Sequence, residues 1–563
     1  MTPPAGQDTI GLMMGGGTSV LGEWRNPLRA AAWGAIAAVA ICVLLMVAPV
    51  GRFVESASVW LDYSYPRAGS EGLILYESLL LKRGGDIYSP ITPEQFISGP
   101  YPPLYYWLAA AVLPERLPDF SGPGAPASMF REGRIISLLA ALIAAACIPL
   151  IVIFQGYHDR SRQKLLLAAA AGLTGSLVFL SLPQTTVWAT RFRGDMLTIA
   201  LTAIGLLCIA HGARSSKDNT ASRFTFHVSL LSLVLGAVFF SLAFYTKQTA
   251  LAGPVAGAIY LLLRDWRLGL RWCLVMAGAV LLPFAVLDLA TGHWFFLKMV
   301  SYHSLRLSEV TLTRLLQFAF WEDQWPLILV ALTYLGAGLF ALIRSYRGSR
   351  QDRQPPSLVT LFAAASFLFL PTGAVIGADH NHLLMSGLAI SLAVGAAIAW
   401  ATNRLLEERG RLPIPAAVTL AGILLALAVY AGVTSPPSSW YNPDLEVPSP
   451  EVQEQYRKIV YNVSQNPGML FFSDDPGIVA LAGKQTTYDD PFTMTALAAT
   501  NRWDEAAYRT MLREGRFGLL VLSCDVNTPQ FCRADTFTPG VLDAIRDGYR
   551  LLFRDIMYTY APK

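Results

Sequence analysis

Two arginines and one acid, in Arg191-Phe192-Arg193-Gly194-Asp195, stand directly before an apolar run. A lysine, Lys247, sits in the turn Thr246-Lys247-Gln248-Thr249 between two further runs. Guanidinium groups match phosphate oxygens in shape, and a lysine adds a point charge. Two arginines beside one acid need a partner such as a phosphate. The plain alternative is an acid offsetting a helix dipole while the cations reach out to the interface. A second acid, Glu71, lies in the polar stretch that follows the first apolar run. Ionisable residues near membrane depth are functional candidates by default. The bland reading of Glu71 is a first-turn helix acid behind an N-cap at Ser70.

Other residues could line the same cavity. Asp62 opens the polar stretch Leu61–Gly72, and Pro100-Tyr101-Pro102-Pro103-Leu104-Tyr105-Tyr106 follows after Gly84-Gly85-Asp86-Ile87-Tyr88. Two prolines can start a helix but not sit inside one. The stretch that follows them is read as a short helix lying along the membrane surface, as is 72–83, where Leu73, Tyr76 and Leu80 have helical spacing. Gln248 follows Lys247, while Asn381 and His382 close Ala378-Asp379-His380-Asn381-His382. Two histidines two apart beside an acid carry little metal specificity, so no metal is expected.

These residues need a frame. The chain has 563 residues, 53% hydrophobic and 15% charged, with a mean hydropathy of +0.43. Soluble proteins carry about 25% charged residues. The deficit is confined to residues before about 433, where apolar blocks alternate with short polar links. About 20 apolar residues span the hydrocarbon core. That rule gives eleven transmembrane helices, at 30–50, 135–154, 165–182, 196–211, 228–245, 249–263, 272–289, 325–343, 358–376, 383–402 and 414–433. Every second link is basic (Arg160 and Lys164; Lys217; Arg267; Arg347 and Arg350; Arg404 and Arg409), as is the tail with Arg25 and Arg29. The positive-inside rule then puts the N-terminus in the cytoplasm and residue 434 onward outside. Arg191, Arg193 and Lys247 fall on the side where basic residues are scarce, which marks them out. Intramembrane or interfacial charges are functional candidates by default. A net charge of +4 makes no case for nucleic acid.

Three parts follow: a cytoplasmic tail 1–29, a transmembrane domain 30–433 with an interfacial outer loop 51–134, and a C-terminal extracytoplasmic α/β domain 434–563. In the last, helices are expected at 451–464, 503–513 and 539–547, with strands at 469–473, 517–523 and 549–556, a small layered structure. It has no nucleotide-binding glycine motif. Cys524 and Cys532 flank a short Asn/Pro turn and are expected to pair if the domain faces an oxidising compartment.

The order of these motifs resembles the GT-C membrane glycosyltransferases, in particular the aminoarabinose and protein-mannosyl transferases that use polyprenyl-phosphate sugars. The resemblance rests on Glu71-Gly72, Gly84…Ile87-Tyr88, Tyr101-Pro102-Pro103-Leu104-Tyr105-Tyr106, Arg193-Gly194-Asp195, Thr246-Lys247-Gln248 and Asn381. Members often carry Asp-Glu where this chain has Ser70-Glu71, and His or Lys where it has Tyr101. The resemblance implies an inverting transfer of a sugar from a polyprenyl-phosphate donor to a hydroxyl on a lipid, glycan or protein, at the outer face of a bacterial inner membrane. It implies Glu71 as the general base that takes the proton of a weak hydroxyl nucleophile, Asp195 as orienting the acceptor or sharing that role, and Arg191, Arg193 and Lys247 as stabilising the charge that grows on the leaving donor phosphate. Asp62, Tyr101, Tyr105, Gln248, Asn381 and His382 would line the substrate cavity. An already activated donor requires no cofactor. The competing class is a secondary transporter or lipid flippase, which should show internal repeats and a midplane site.

Overall fold

A computed structural model describes residues 27–122, 126–156, 161–215, 223–302, 308–320, 324–347, 357–375, 378–407, 414–434, 447–468 and 470–563. The basic residues Arg25, Arg160, Lys217, Arg350 and Arg409 lie outside them, as does the side chain of Arg29.

Each of the eleven apolar segments is helical. Among the described residues, nine helices are long and apolar enough to cross a membrane, from Trp33–Trp60 to Ile414–Thr434. Two expected spans are short. Ala252–Arg264 has 13 residues, about 20 Å at 1.5 Å per residue, against about 30 Å of hydrocarbon. Leu358–Phe369 gives way to a 3-10 turn, Leu370–Ala374, because Pro371 cannot donate to the helical ladder. Small residues let the helices approach: Ala140, Ala141, Ala144, Ala171, Ala203 and Ala393 are all buried in one continuous bundle core.

At one end of the bundle, the segment after the first span forms helices Gly69–Lys82 and Pro103–Val112. The first begins earlier than expected, at Gly69 with Ala68 as N-cap and no side-chain cap, so Ser70 is not the cap expected. Nor does this helix lie open on a surface: Glu71, Gly72 and Ile74–Leu79 are buried. Residues 450–563 cover it. They form a four-stranded sheet of β1 (Phe472–Ser473), β2 (Leu520–Leu522), β3 (Tyr549–Arg554) and β4 (Tyr558–Pro562), in the order β1-β2-β4-β3. β1 and β2 run parallel, and β4 is antiparallel to both β2 and β3. Around them pack helices Pro450–Gln465, Pro476–Leu481, Pro491–Ala498, Ala506–Arg513 and Pro539–Gly548. The Cys524–Cys532 disulfide is formed.

Loop and sheet unit share one core, in which Trp60, Tyr65, Ile74 and Leu75 meet Ile459, Val460, Ile478 and Met557. Tyr65 stacks on Tyr456 with ring centroids 5.1 Å apart. The Tyr76 hydroxyl donates to Thr486 O at 2.7 Å. Two glycines, Gly72 and Gly477, also meet here. A Cβ on Gly72 would sit 2.5 Å from Gly477 N and 2.8 Å from Gly477 Cα. Gly72→Ala must therefore push helix Pro476–Leu481 off helix Gly69–Lys82, at a cost of about 1–3 kcal/mol or more. A lower melting temperature and faster proteolysis between the bundle and the sheet unit are expected. Wild-type resistance would contradict this contact.

Candidate active site

A cleft opens where the short helix Pro103–Val112 meets the ends of two spans. It is lined by Ile74, Tyr101, Tyr105, Tyr106, Gly194, Asp195, Thr246 and Lys247. Asp195 starts the helix Asp195–Ser215, so the positive end of that helix faces the cleft. The preceding turn is fixed by Ser137, whose hydroxyl reaches both Arg191 O at 2.7 Å and Arg193 O at 3.0 Å.

Asp195 is the hub. It accepts from Arg193 Nε at 3.1 Å, from Asn381 Nδ2 at 2.8 Å and from Lys247 Nζ. Arg193 also bonds the Tyr101 hydroxyl and lies over the rings of Tyr101 and Trp188, 5.2 Å from each centroid. Arg191 lies over Trp188 at 4.7 Å and pairs with Asp379 at 3.8 Å. Among these five charged side chains, three are cations (Arg191, Arg193, Lys247) and two are carboxylates (Asp195, Asp379). Arg191, Arg193 and Lys247 thus lie with Asp195 and Asp379 beside a helix N-terminus. That arrangement fits an anion such as a phosphate.

Glu71 stands apart from this hub. It is fully buried, and the cleft lining does not include it. Arg134, equally buried, pairs with it at 2.8 Å from Nη2 and 3.3 Å from Nε. The backbone N–H groups of Arg67 (2.8 Å) and Phe192 (2.6 Å) take its remaining acceptor positions. Burial alone would raise its pKa, but the charge and hydrogen bonds of Arg134, with Arg67, outweigh that and hold it at about 2. This geometry does not suit Glu71 to the base role expected of it. Both oxygens are committed to donors, and the proton affinity is far below what general-base work needs.

The other expected residues divide. Tyr101 and Tyr105 line the cleft, although the Tyr105 hydroxyl is turned away to Gly133 O at 3.1 Å. Asn381 reaches in through Asp195, and its Oδ1 is buried without a hydrogen-bond partner. Gln248 donates to Pro100 O at 3.3 Å and leaves Oε1 buried and unpartnered. His382 is close enough to feel the charges of Lys247 and Asp195 but does not line the cleft. Asp62 is a correction: its side chain is 71% exposed and pairs with Arg131 at 3.1 Å, outside the cleft lining. Among the described residues, no group of three His, Cys, Asp or Glu is arranged to hold a metal.

Sequence reading assigned no role to Arg134 and Glu77, and placed Tyr106 in the Tyr101–Tyr106 motif without assigning it one. Arg134 offered a signal, a cation just inside the span Arg131–Gln155. Glu77 offered only its spacing, six residues from Glu71, with no sign that it too would be buried.

No family model and no curated protein sequence matches the chain. Solved structures do. ArnT from Cupriavidus metallidurans, solved bound to undecaprenyl phosphate, superposes with a TM-score of 0.52 at 15% identity, over 94% of this chain and 98% of that one. The archaeal oligosaccharyltransferase AglB from Archaeoglobus fulgidus, in complex with an inhibitory peptide and a dolichol-phosphate, gives 0.52 at 11% identity, over 94% and 74%. The same enzyme tethered to an acceptor peptide gives 0.51 at 10%. The fold is that of the GT-C membrane glycosyltransferases.

Proposed function

We propose that this protein is an inverting glycosyltransferase. It moves a sugar from a polyprenyl-phosphate donor to an acceptor hydroxyl at the outer face of a bacterial inner membrane. The observation that carries the reading is the Arg193–Asp195–Lys247 cluster, built into a cleft at one end of a GT-C bundle. The undecaprenyl phosphate bound by ArnT and the dolichol-phosphate bound by AglB support a lipid-phosphate donor. A transporter would need a midplane site reachable from both sides, whereas this cleft sits among helix ends and loop residues.

The geometry supports the following roles. Arg193 and Lys247, with Arg191 beside them, hold the donor phosphate and stabilise the charge that grows as it leaves. Asp195 keeps those cations apart and aimed. Asn381 Oδ1 and Gln248 Oε1 remain free to accept from substrate hydroxyls. The lipid tail lies between helices in the bilayer. The sheet unit 450–563 roofs the loop rather than supplying chemistry.

The test is direct. Full-length protein in nanodiscs is offered synthetic polyprenyl-phosphate glycosides with hexosyl and pentosyl head groups, and release of polyprenyl phosphate is followed. Arg193→Ala should weaken binding of undecaprenyl phosphate about 10–100-fold, since hydrogen bonds to charged groups contribute about 1.5–3 kcal/mol. Unchanged lipid-phosphate affinity in that variant would remove the phosphate assignment.

A further inference from the structure

The place of Glu71 leaves the proposed reaction without a base, and three carboxylates near the cleft compete for that role. Glu71 has both oxygens occupied by Arg134, Arg67 and Phe192. Asp195 has both occupied by Arg193, Lys247 and Asn381. The third is Glu77, fully buried one and a half turns along the helix Gly69–Lys82 from Glu71. Its Oε1 accepts from Gly99 N at 2.7 Å and from the Ser98 hydroxyl at 3.2 Å. Its Oε2 receives neither of these donors. The Tyr106 hydroxyl is likewise buried without a hydrogen-bond partner, and it stands near enough to Glu77 to stabilise its carboxylate. Tyr106 lines the cleft.

We propose that Glu77 is the proton acceptor of the transfer reaction, reached from the cleft through the Tyr106 hydroxyl. The inference rests on the glycosyltransferase reading. In the step, the acceptor oxygen bonds to the anomeric carbon as that carbon's bond to the phosphate oxygen breaks. The acceptor's proton passes to Tyr106 Oη, whose own proton passes to Glu77 Oε2. The polyprenyl phosphate leaves with the bonding pair, opposite Arg193 and Lys247. One carboxylate becomes a carboxylic acid, and one phosphodiester monoanion becomes a phosphomonoester dianion, so charge and protons balance.

The surroundings of Glu77 are those of a poised base. A second buried carboxylate, Asp489, shares the same turn, accepting from Ser98 N at 2.9 Å. The turn requires Gly99, whose φ of +47° and whose would-be Cβ, 2.5 Å from Ile87 O, exclude a side chain. Lys298 is buried too and donates to Ile87 O at 2.8 Å. Burial raises Glu77, hydrogen bonds from Tyr106 and Gly99 and the charge of Lys298 lower it, and Asp490 raises it, leaving it at about 7. Asp489 is pushed up further, by burial and by Glu77 itself. Tyr88 and Tyr76 complete the titratable groups around it. A base must be ionised to work, so activity should rise with pH through about 7 and fall below it.

Glu77→Gln keeps the size of the side chain and an acceptor for Gly99 N. In the nanodisc assay it should lower kcat about 10²–10⁴-fold, leave the donor KM within about 2-fold, and abolish the rise through about pH 7. Tyr106→Phe should lose as much, and the double variant should be no worse than either single one. In infrared titration, a carboxylic C=O band of the wild type should titrate near pH 7 and vanish in Glu77→Gln. A Glu77→Gln enzyme that keeps wild-type turnover and its pH limb overturns the proposal while the transferase reading stands. If the wild type releases polyprenyl phosphate from none of the glycosides, the transferase reading itself fails. A missing infrared band would then separately remove the poised acid.

Discussion

Replacing Asp195 with Asn should cut turnover about 10²–10³-fold, the usual loss when one preorganised electrostatic group is removed from a transition-state site. The loss should fall on kcat and not on the donor KM. Asparagine keeps the size of the side chain and part of its hydrogen bonding, but it removes the negative charge between Arg193 and Lys247. The two cations then repel each other unless another anion joins them. A lipid phosphate is such an anion. The variant should therefore melt lower than the wild type without ligand and gain more stability from added undecaprenyl phosphate, since a ligand that binds only the folded state stabilises it by mass action. Thermal melts with and without undecaprenyl phosphate, beside a kcat and KM split, check both halves. Equal stabilisation of variant and wild type would show that Asp195 does not hold the cations for a phosphate.

That cluster was legible in the sequence because it broke a rule. Basic residues crowd one side of a membrane protein, and Arg191, Arg193 and Lys247 sat on the other. The structure brings Arg193 and Lys247 onto one acid from segments 52 residues apart. The long apolar spans were legible for the same reason of simple physics: length and hydropathy are local quantities. What failed was whatever depended on distant pairing. Glu71 looked like an exposed base because its partners Arg134 and Phe192 lie 63 and 121 residues away. Glu77 was assigned no role because Asp489, which shares its turn, comes from the far end of the chain. In the sheet unit, Pro476–Leu481 and Pro491–Ala498 went unread, since six and eight residues carry too little periodicity for a helix to declare itself. Strand β4 also went unread, being five residues long and ending on Pro562. Yet it pairs with both β2 and β3.

Glu71 itself carries the largest stability effect. Arg134 is completely buried, and its guanidinium already donates to Trp60 O at 3.0 Å, Tyr63 O at 2.6 Å and Tyr65 O at 2.9 Å. The ion pair thus ties the end of the first span to the loop and to the turn before Asp195. Glu71→Ala leaves a charge uncompensated in the interior, at about 3–5 kcal/mol, and strips the N–H groups of Arg67 and Phe192 of their acceptor. Arg134→Leu on its own should cost a comparable amount. The double variant should cost clearly less than the sum, because no unpaired charge remains. The pair also sets a pH dependence. Glu71 has a pKa of about 2 against an ordinary 4.5, so its folded-state pKa is depressed. Its contribution is complete above about pH 4.5 and is lost as pH falls toward 2. At about 1.4 kcal/mol per unit, that is roughly 3 kcal/mol. Melting temperatures in nanodiscs should fall between about pH 5 and pH 3 for the wild type, and this slope should flatten in Glu71→Gln. A Glu71→Ala protein as stable as the wild type would mean that water reaches Arg134. The loop that shapes the cleft would then need another anchor.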